Sequence, residues 1–85
     1  MPAFEPAATE ALIIGAVAKQ LDYAGPIASD TPFSTLGLDS IGVVILVAEL
    51  ETQIGFSFAP EDLDMTHFTD ARTLARLLCA KYASV

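Results

Sequence analysis

The segment "SIGVVILVAELETQI", residues 40–54, carries no charge before Glu49 and no proline anywhere. Whatever element it forms must organise a chain of only 85 residues. Its valines and isoleucines would suit a buried strand, yet fifteen residues is long for a strand and strict alternation is missing. As a helix it begins at Asp39 or Ser40 and continues to about Gln53. Helical geometry sorts its apolar residues into two stripes, Val43, Val47, Leu50 and Ile54 on one and Ile41, Val44, Ile45 and Ala48 on the other, with Leu46 between them. A helix in a small bundle needs one broad stripe facing the core. The second stripe therefore asks for a partner or a cofactor.

The remaining segments supply the bundle. A first helix starts between Pro6 and Thr9 and reaches about Leu21, with Ile13, Val17 and Leu21 as the better buried stripe and Leu12, Ala16 and Lys19 near a second line. "DYAGPIASDTPFSTLG" reads as a long loop, but Ile27, Phe33 and Leu36 recur through it and need cover, so it is not an interdomain linker. Gly55 can stop the second helix in a left-handed conformation. Phe56 and Phe58 read as loop anchors. A short helical turn is expected over "PEDLDM", with Pro60 near its start and Glu61 and Asp62 at its positive end. Thr69 or Asp70 caps the last helix, which reaches about Tyr82 and offers Leu74, Leu77 and Leu78, extended by Ala71 and the Lys81 stem. The expectation is an all-α fold of three substantial helices and one short one, in a single domain over 1–85 with its core at about 7–83. A chain of this size buries roughly 60 to 65 per cent of its unfolded surface, which leaves little room for a second core.

Charge and composition narrow the function. Four Lys and Arg against eleven Asp and Glu give a net charge of −7, which repels a nucleic-acid backbone and favours a basic protein surface as partner. No segment approaches an uninterrupted apolar membrane span, and "MPAFEPAATE" lacks the basic region and apolar core of a secretory signal, so no membrane role and a cytoplasmic location are expected. Cys79 is the one cysteine and His67 the one histidine. An internal disulfide is impossible, a zinc cage would need an unusual set of carboxylates, and no metal site is expected. His67 reads as a surface or short-helix cap residue, and Cys79 as a packed or partly covered thiol.

Ser40 stands in "LGLDSIGVV", between an acidic residue and the apolar run. A hydrolase nucleophile needs a base and a group to orient it, and the Gly-x-Ser-x-Gly elbow is absent. The plain reading of the Asp-Ser pair is a helix cap. Asp39 is the better cap, because Val43 three residues after Ser40 leaves a capping box at Ser40 incomplete. The Ser40 hydroxyl is then free to face solvent at the first turn, where a phosphodiester would meet backbone donors and the positive helix end.

"LGLDSI" resembles the modification site of acyl and peptidyl carrier proteins, and the likeness runs from the first amphipathic helix through "FSTLGLDSIGVVILVAELETQIGFSF" to "FTDARTLARLL". The resemblance implies an acyl-carrier-like four-helix bundle in which Ser40 receives 4′-phosphopantetheine from coenzyme A through a separate phosphopantetheinyl transferase. Asp39 resembles part of the transferase recognition site, Gly37 the glycine that lets the preceding loop turn, and Ile41 the large apolar residue after the serine. Leu38 occupies a variable place. Such a protein is not an enzyme: it holds acyl or aminoacyl intermediates as thioesters on its arm while loading enzymes, ketosynthases, condensation enzymes or other acyl-processing partners act on them. Ile41, Val44, Ile45 and Ala48 would meet those partners or the arm, and Val43, Leu46, Val47 and Leu50 would serve the core. Glu49, Glu51, Glu61, Asp62 and Asp64 are candidates for an acidic rim, with plain solvated surface as the alternative for each.

One departure bears on the pathway. Many fatty-acid carriers have an acidic residue where this chain has Ile45, which leans the reading toward a specialised polyketide, nonribosomal-peptide or related pathway. "GLDS" resembles acyl-type carriers more than the "GGDS" and "GGHS" forms frequent in peptide synthetases. The alternative is a carrier-like interaction module that is never modified and uses the second helix only for binding.

Overall fold

Helix α1 spans Pro6–Leu21 in the computed structural model, which describes residues 5–82. Proline sits at its first turn, where a missing N–H costs nothing. Thr9 is not the cap: it is buried inside the helix and its N–H donates to the Glu5 carbonyl at 2.8 Å. The helix stops where Asp22 takes a left-handed conformation, φ 52°, and the Tyr23 N–H returns to the Ala18 carbonyl at 2.9 Å. Ile13, Ala16 and Val17 are buried, while Leu12 and Leu21 pack at the margin of the core.

The loop after α1 is fastened both to α1 and to the chain around residues 69–72. Ser29 donates its hydroxyl to Glu10 and accepts the Arg72 N–H on its carbonyl at 2.9 Å, while the Phe33 N–H donates to the Thr69 carbonyl at 2.8 Å. A 3₁₀ turn over Phe33–Leu36 buries Phe33 and ends at Gly37, φ 91°, a conformation that a side chain would strain. Leu38 follows and is only 5% exposed. The place that looked variable in sequence is a core position, because the Gly37 turn drives the next side chain inward.

Helix α2 spans Ser40–Ile54. Asp39 caps it as expected, accepting the Gly42 N–H on Oδ1 at 2.8 Å, and Gly55, φ 84°, closes it. Gly42, Val43, Leu46 and Leu50 are buried. Val47, expected in the core, is only half-buried. Leu46, fully buried, takes the central place.

After α2 the chain is held by side chains rather than by a ladder. Glu51 accepts the Phe58 N–H at 2.8 Å, and the Phe58 ring lies between those of Phe56 and Phe68, at centroid distances of 4.8 and 5.9 Å. The short helical segment is present as two separate 3₁₀ turns, Pro60–Asp62 and Met65–Phe68, with Leu63 and Asp64 between them. Helix α3 spans Ala71–Leu77, capped by Asp70, whose Oδ1 accepts the Thr73 N–H at 2.7 Å, and continues as a π turn over Leu78–Tyr82. Helix α1 packs on both α2 and α3. Among the described residues every regular element is helical, which gives an all-α fold with three major helices around one shared core.

The Lys81 ammonium does more than lend its stem. It reaches Asp62 at 2.8 Å and Glu61 at 3.5 Å, tying the π turn to the Pro60–Asp62 turn. Asp62 is 6% exposed, so it is a structural carboxylate and not part of an acidic rim. The hydrogen bond to Asp62, reinforced by the charges of Asp62 and Glu61, raises the Lys81 pKa above its ordinary value of 10.5. A lysine raised on folding contributes stability that is fully present below the unfolded pKa and is lost as pH rises through the folded one. Thermal midpoints followed upward through that range should therefore fall more steeply for the wild type than for Lys81→Met. Parallel curves would show that the pair adds nothing.

Candidate functional site

Ser40 is the first residue of α2 and is exposed, as is Asp39 before it. Asp39 occupies the role the serine might have had, since its carboxylate takes the Gly42 N–H. The hydroxyl therefore stands at the positive end of a fifteen-residue helix without being its cap.

A groove of about 320 Å³ opens beside it, lined by Ser40, Val43, Val44, Val47, Leu63 and Asp64. Its walls are the α2 valines and the residues linking the two 3₁₀ turns. This explains the half-burial of Val47, whose outer surface forms groove wall. Leu63, an exposed leucine, was not singled out in the sequence, and the only signal available was an apolar residue inside an acidic stretch.

The outer stripe of α2 is exposed as expected: Ile41 is 70%, Val44 68% and Ile45 53% exposed, and Ala48 is exposed with them. These residues do not share one hollow. Val44 lines the Ser40 groove, whereas Ile45 turns the other way, into a hollow of about 330 Å³ between α1 and α2 formed with Ala16, Lys19, Gln20 and Glu49. Ile45 and Val44 are thus the two shoulders of a single apolar ridge.

The acidic side chains divide in the same concrete way. Glu51 holds the Phe58 backbone, Glu49 accepts from Gln53, Glu61 and Asp62 pair with Lys81, and only Asp64 lines the groove. Asp64 is exposed and accepts both the N–H and the hydroxyl of Thr66, at 2.9 and 3.0 Å. Those bonds, the backbone one foremost, hold its pKa below 3.8, so it is a carboxylate at neutral pH. His67 is half-buried in the Met65–Phe68 turn, and Cys79 is half-buried in the closing π turn. Among the described residues no three His, Cys, Asp or Glu side chains are grouped so as to hold a metal ion, and no helix is long and apolar enough to cross a membrane.

Residues 11–78 match the family model described as phosphopantetheine attachment site. The chain belongs to that family. The match runs from within α1 to the start of the closing π turn and includes all of α2. Phosphopantetheine-attachment domains are carriers and not catalysts, and the Ser40 groove has to be understood as part of a carrier. Comparison with curated proteins and with solved structures found no match.

Proposed function

We propose that Ser40 accepts 4′-phosphopantetheine and that the whole chain, as one domain, carries acyl or aminoacyl intermediates in a specialised polyketide, nonribosomal-peptide or related pathway. One observation supports this reading above the others. Ser40 presents an exposed hydroxyl on the first turn of α2, released from capping by Asp39 and set at the mouth of an apolar groove. The residues present fit the group: a phosphodiester there would lie against the positive helix end, and an arm leaving it would have Val44, Val47 and Leu63 beside it. When bound, the arm supplies a thiol that holds cargo as a thioester.

Attachment is a group transfer at Ser40 Oγ. The Oγ–P bond forms as the diphosphate P–O bond of coenzyme A breaks, the nucleotide half leaves, and the serine proton passes to a base of the transferase. Magnesium in that reaction screens the diphosphate and belongs to the transferase, not to this chain. The ridge of Ile41, Val44 and Ile45, with Ala48, serves as the landing surface for the transferase and then for loading enzymes and ketosynthase- or condensation-type partners. An apolar Ile45 on that ridge supports a dedicated pathway over general fatty-acid synthesis. A cytoplasmic location goes with this reading.

The test is incubation with coenzyme A, magnesium and a broad-range phosphopantetheinyl transferase, followed by intact-mass and peptide analysis. One added phosphopantetheine on Ser40 is the expected result. A folded chain that stays unmodified with several competent transferases would turn the reading toward an unmodified interaction module. Rapid mixing adds a second expectation: with a net charge of −7, raising salt should slow association with a basic transferase more than it lowers folding stability, because exposed charges are screened over roughly 8 to 10 Å. A salt-independent association rate would remove electrostatic steering and leave the apolar ridge to guide docking.

A further inference from the structure

Three side chains converge on Gly42, two residues into the helix beyond Ser40. Asp39 Oδ1 accepts its N–H at 2.8 Å. Gln20, near the end of α1, donates from Nε2 to its carbonyl, also at 2.8 Å, across twenty-two residues of sequence. Leu38 closes from below, so that a β-carbon at position 42 would lie 2.8 Å from Leu38 Cδ1 and 3.1 Å from Gln20 Nε2. Both polar groups of one first-turn residue are thus held by side chains, one from the cap and one from a different helix.

The Gln20 bond differs in kind from the rest of the packing between α1 and α2. Ile13 and Val17 hold the helices together by burial, which resists separation but leaves rotation and sliding soft. A directional bond to a single carbonyl fixes the angle at which the first turn meets α1. Only half of the amide is used: Gln20 Oε1 is buried and accepts no hydrogen bond among the described residues. Leaving a buried acceptor unmet is unfavourable, and a methionine of the same reach would fill the space without it. What the glutamine adds is the donor.

We propose that Gln20 is a positioning residue for Ser40: its Nε2 bond to the Gly42 carbonyl sets the pose of the first turn of α2 and so aligns the Ser40 hydroxyl for attack on phosphorus. This rests on the reading that Ser40 is the acceptor. Gln20 touches neither coenzyme A nor the hydroxyl. Its effect is on orientation, to which an in-line displacement is sensitive even at small misplacements.

The experiment compares donor-lacking and donor-keeping variants in the coenzyme A and transferase assay. Gln20→Met should lower kcat for modification about tenfold with KM within about twofold, the pattern of lost alignment and not of lost docking. Gln20→Lys, which keeps a donor and dispenses with Oε1, should recover kcat to within about threefold. Backbone amide exchange at Gly42 and Val43, both bonded to Asp39, should quicken in Gln20→Met, with the α3 amides unchanged. If Gln20→Met does not fold, Gln20→Glu, which offers no donor at neutral pH, takes its place against Gln20→Lys. Wild-type kcat in the donor-lacking variant, or equal loss in both variants, overturns the proposal while leaving Ser40 as the acceptor. A wild-type chain that is never modified overturns the Ser40 reading itself and the alignment role with it.

Discussion

Ser40→Ala should keep its helices and gain no mass at all when treated with coenzyme A, magnesium and transferase. The two halves of that expectation come from different atoms. Stability of the first turn rests on Asp39 Oδ1, which accepts the Gly42 N–H, and on the Gln20 bond to the Gly42 carbonyl, and neither uses the Ser40 hydroxyl. Alanine is also the best helix former, so the exchange at the first helical position should change unfolding free energy by less than about 0.5 kcal/mol. Reactivity, by contrast, rests on that hydroxyl alone, and its loss is total. Cys79→Ser should load normally, because the cargo thiol comes with the arm and Cys79 lies half-buried in the closing π turn. Cargo loaded on the modified wild type should be released by hydroxylamine, as a thioester is. Mass appearing on Cys79 or on another serine would overturn the assignment of Ser40. Circular dichroism on the same Ser40→Ala sample separates a lost acceptor from a lost fold.

The parts of this arrangement that could be read in the sequence are those written locally. Pro6, Asp39, Gly55 and Asp70 each mark a helix boundary through their own backbone or capping chemistry, and each stands at one in the structure. The outer stripe of α2 was equally legible, since periodicity alone puts Ile41, Val44 and Ile45 on one side. What periodicity cannot give is how far a neighbour reaches around a helix. Val47 looked like core because it repeats with Val43 and Leu50, yet the chain linking the 3₁₀ turns covers only part of it and leaves the groove. Leu38 and Gly42 were missed because neither burial is written locally: the Gly37 turn drives Leu38 inward, and Gly42 lies against Leu38 and against Gln20 of α1. Asp62 looked like a surface acid. Its partner, Lys81, lies in a different element, and only the fold brings the two together.

The ridge of α2 gives the second large effect, and neighbouring residues provide its control. Ile45 is 53% exposed whereas Leu46 is fully buried in the core. Leu46→Ala should cost about 3 kcal/mol in urea unfolding, combining lost transfer free energy with the cavity left behind, and the loss should be present with no partner added. Ile45→Asp should cost about 1 kcal/mol, set by a poorer helix former and the loss of contact with the α1–α2 hollow. Their effects on partners should run in the opposite order. A carboxylate on the shoulder of the apolar ridge must be desolvated when the ridge is covered, so Ile45→Asp should lower kcat/KM for the transferase or a loading enzyme by about tenfold or more. Leu46→Ala, measured well below its unfolding midpoint, should stay within about twofold of wild type, since the surface it leaves behind is unchanged. The pair distinguishes a docking surface from a merely exposed one. If Ile45→Asp were as destabilising as Leu46→Ala, the facing of α2 would be wrong; if it were stable and encountered its partners normally, the ridge would carry no recognition and docking would have to rest on the mouth of the Ser40 groove, where Leu63 and Asp64 stand.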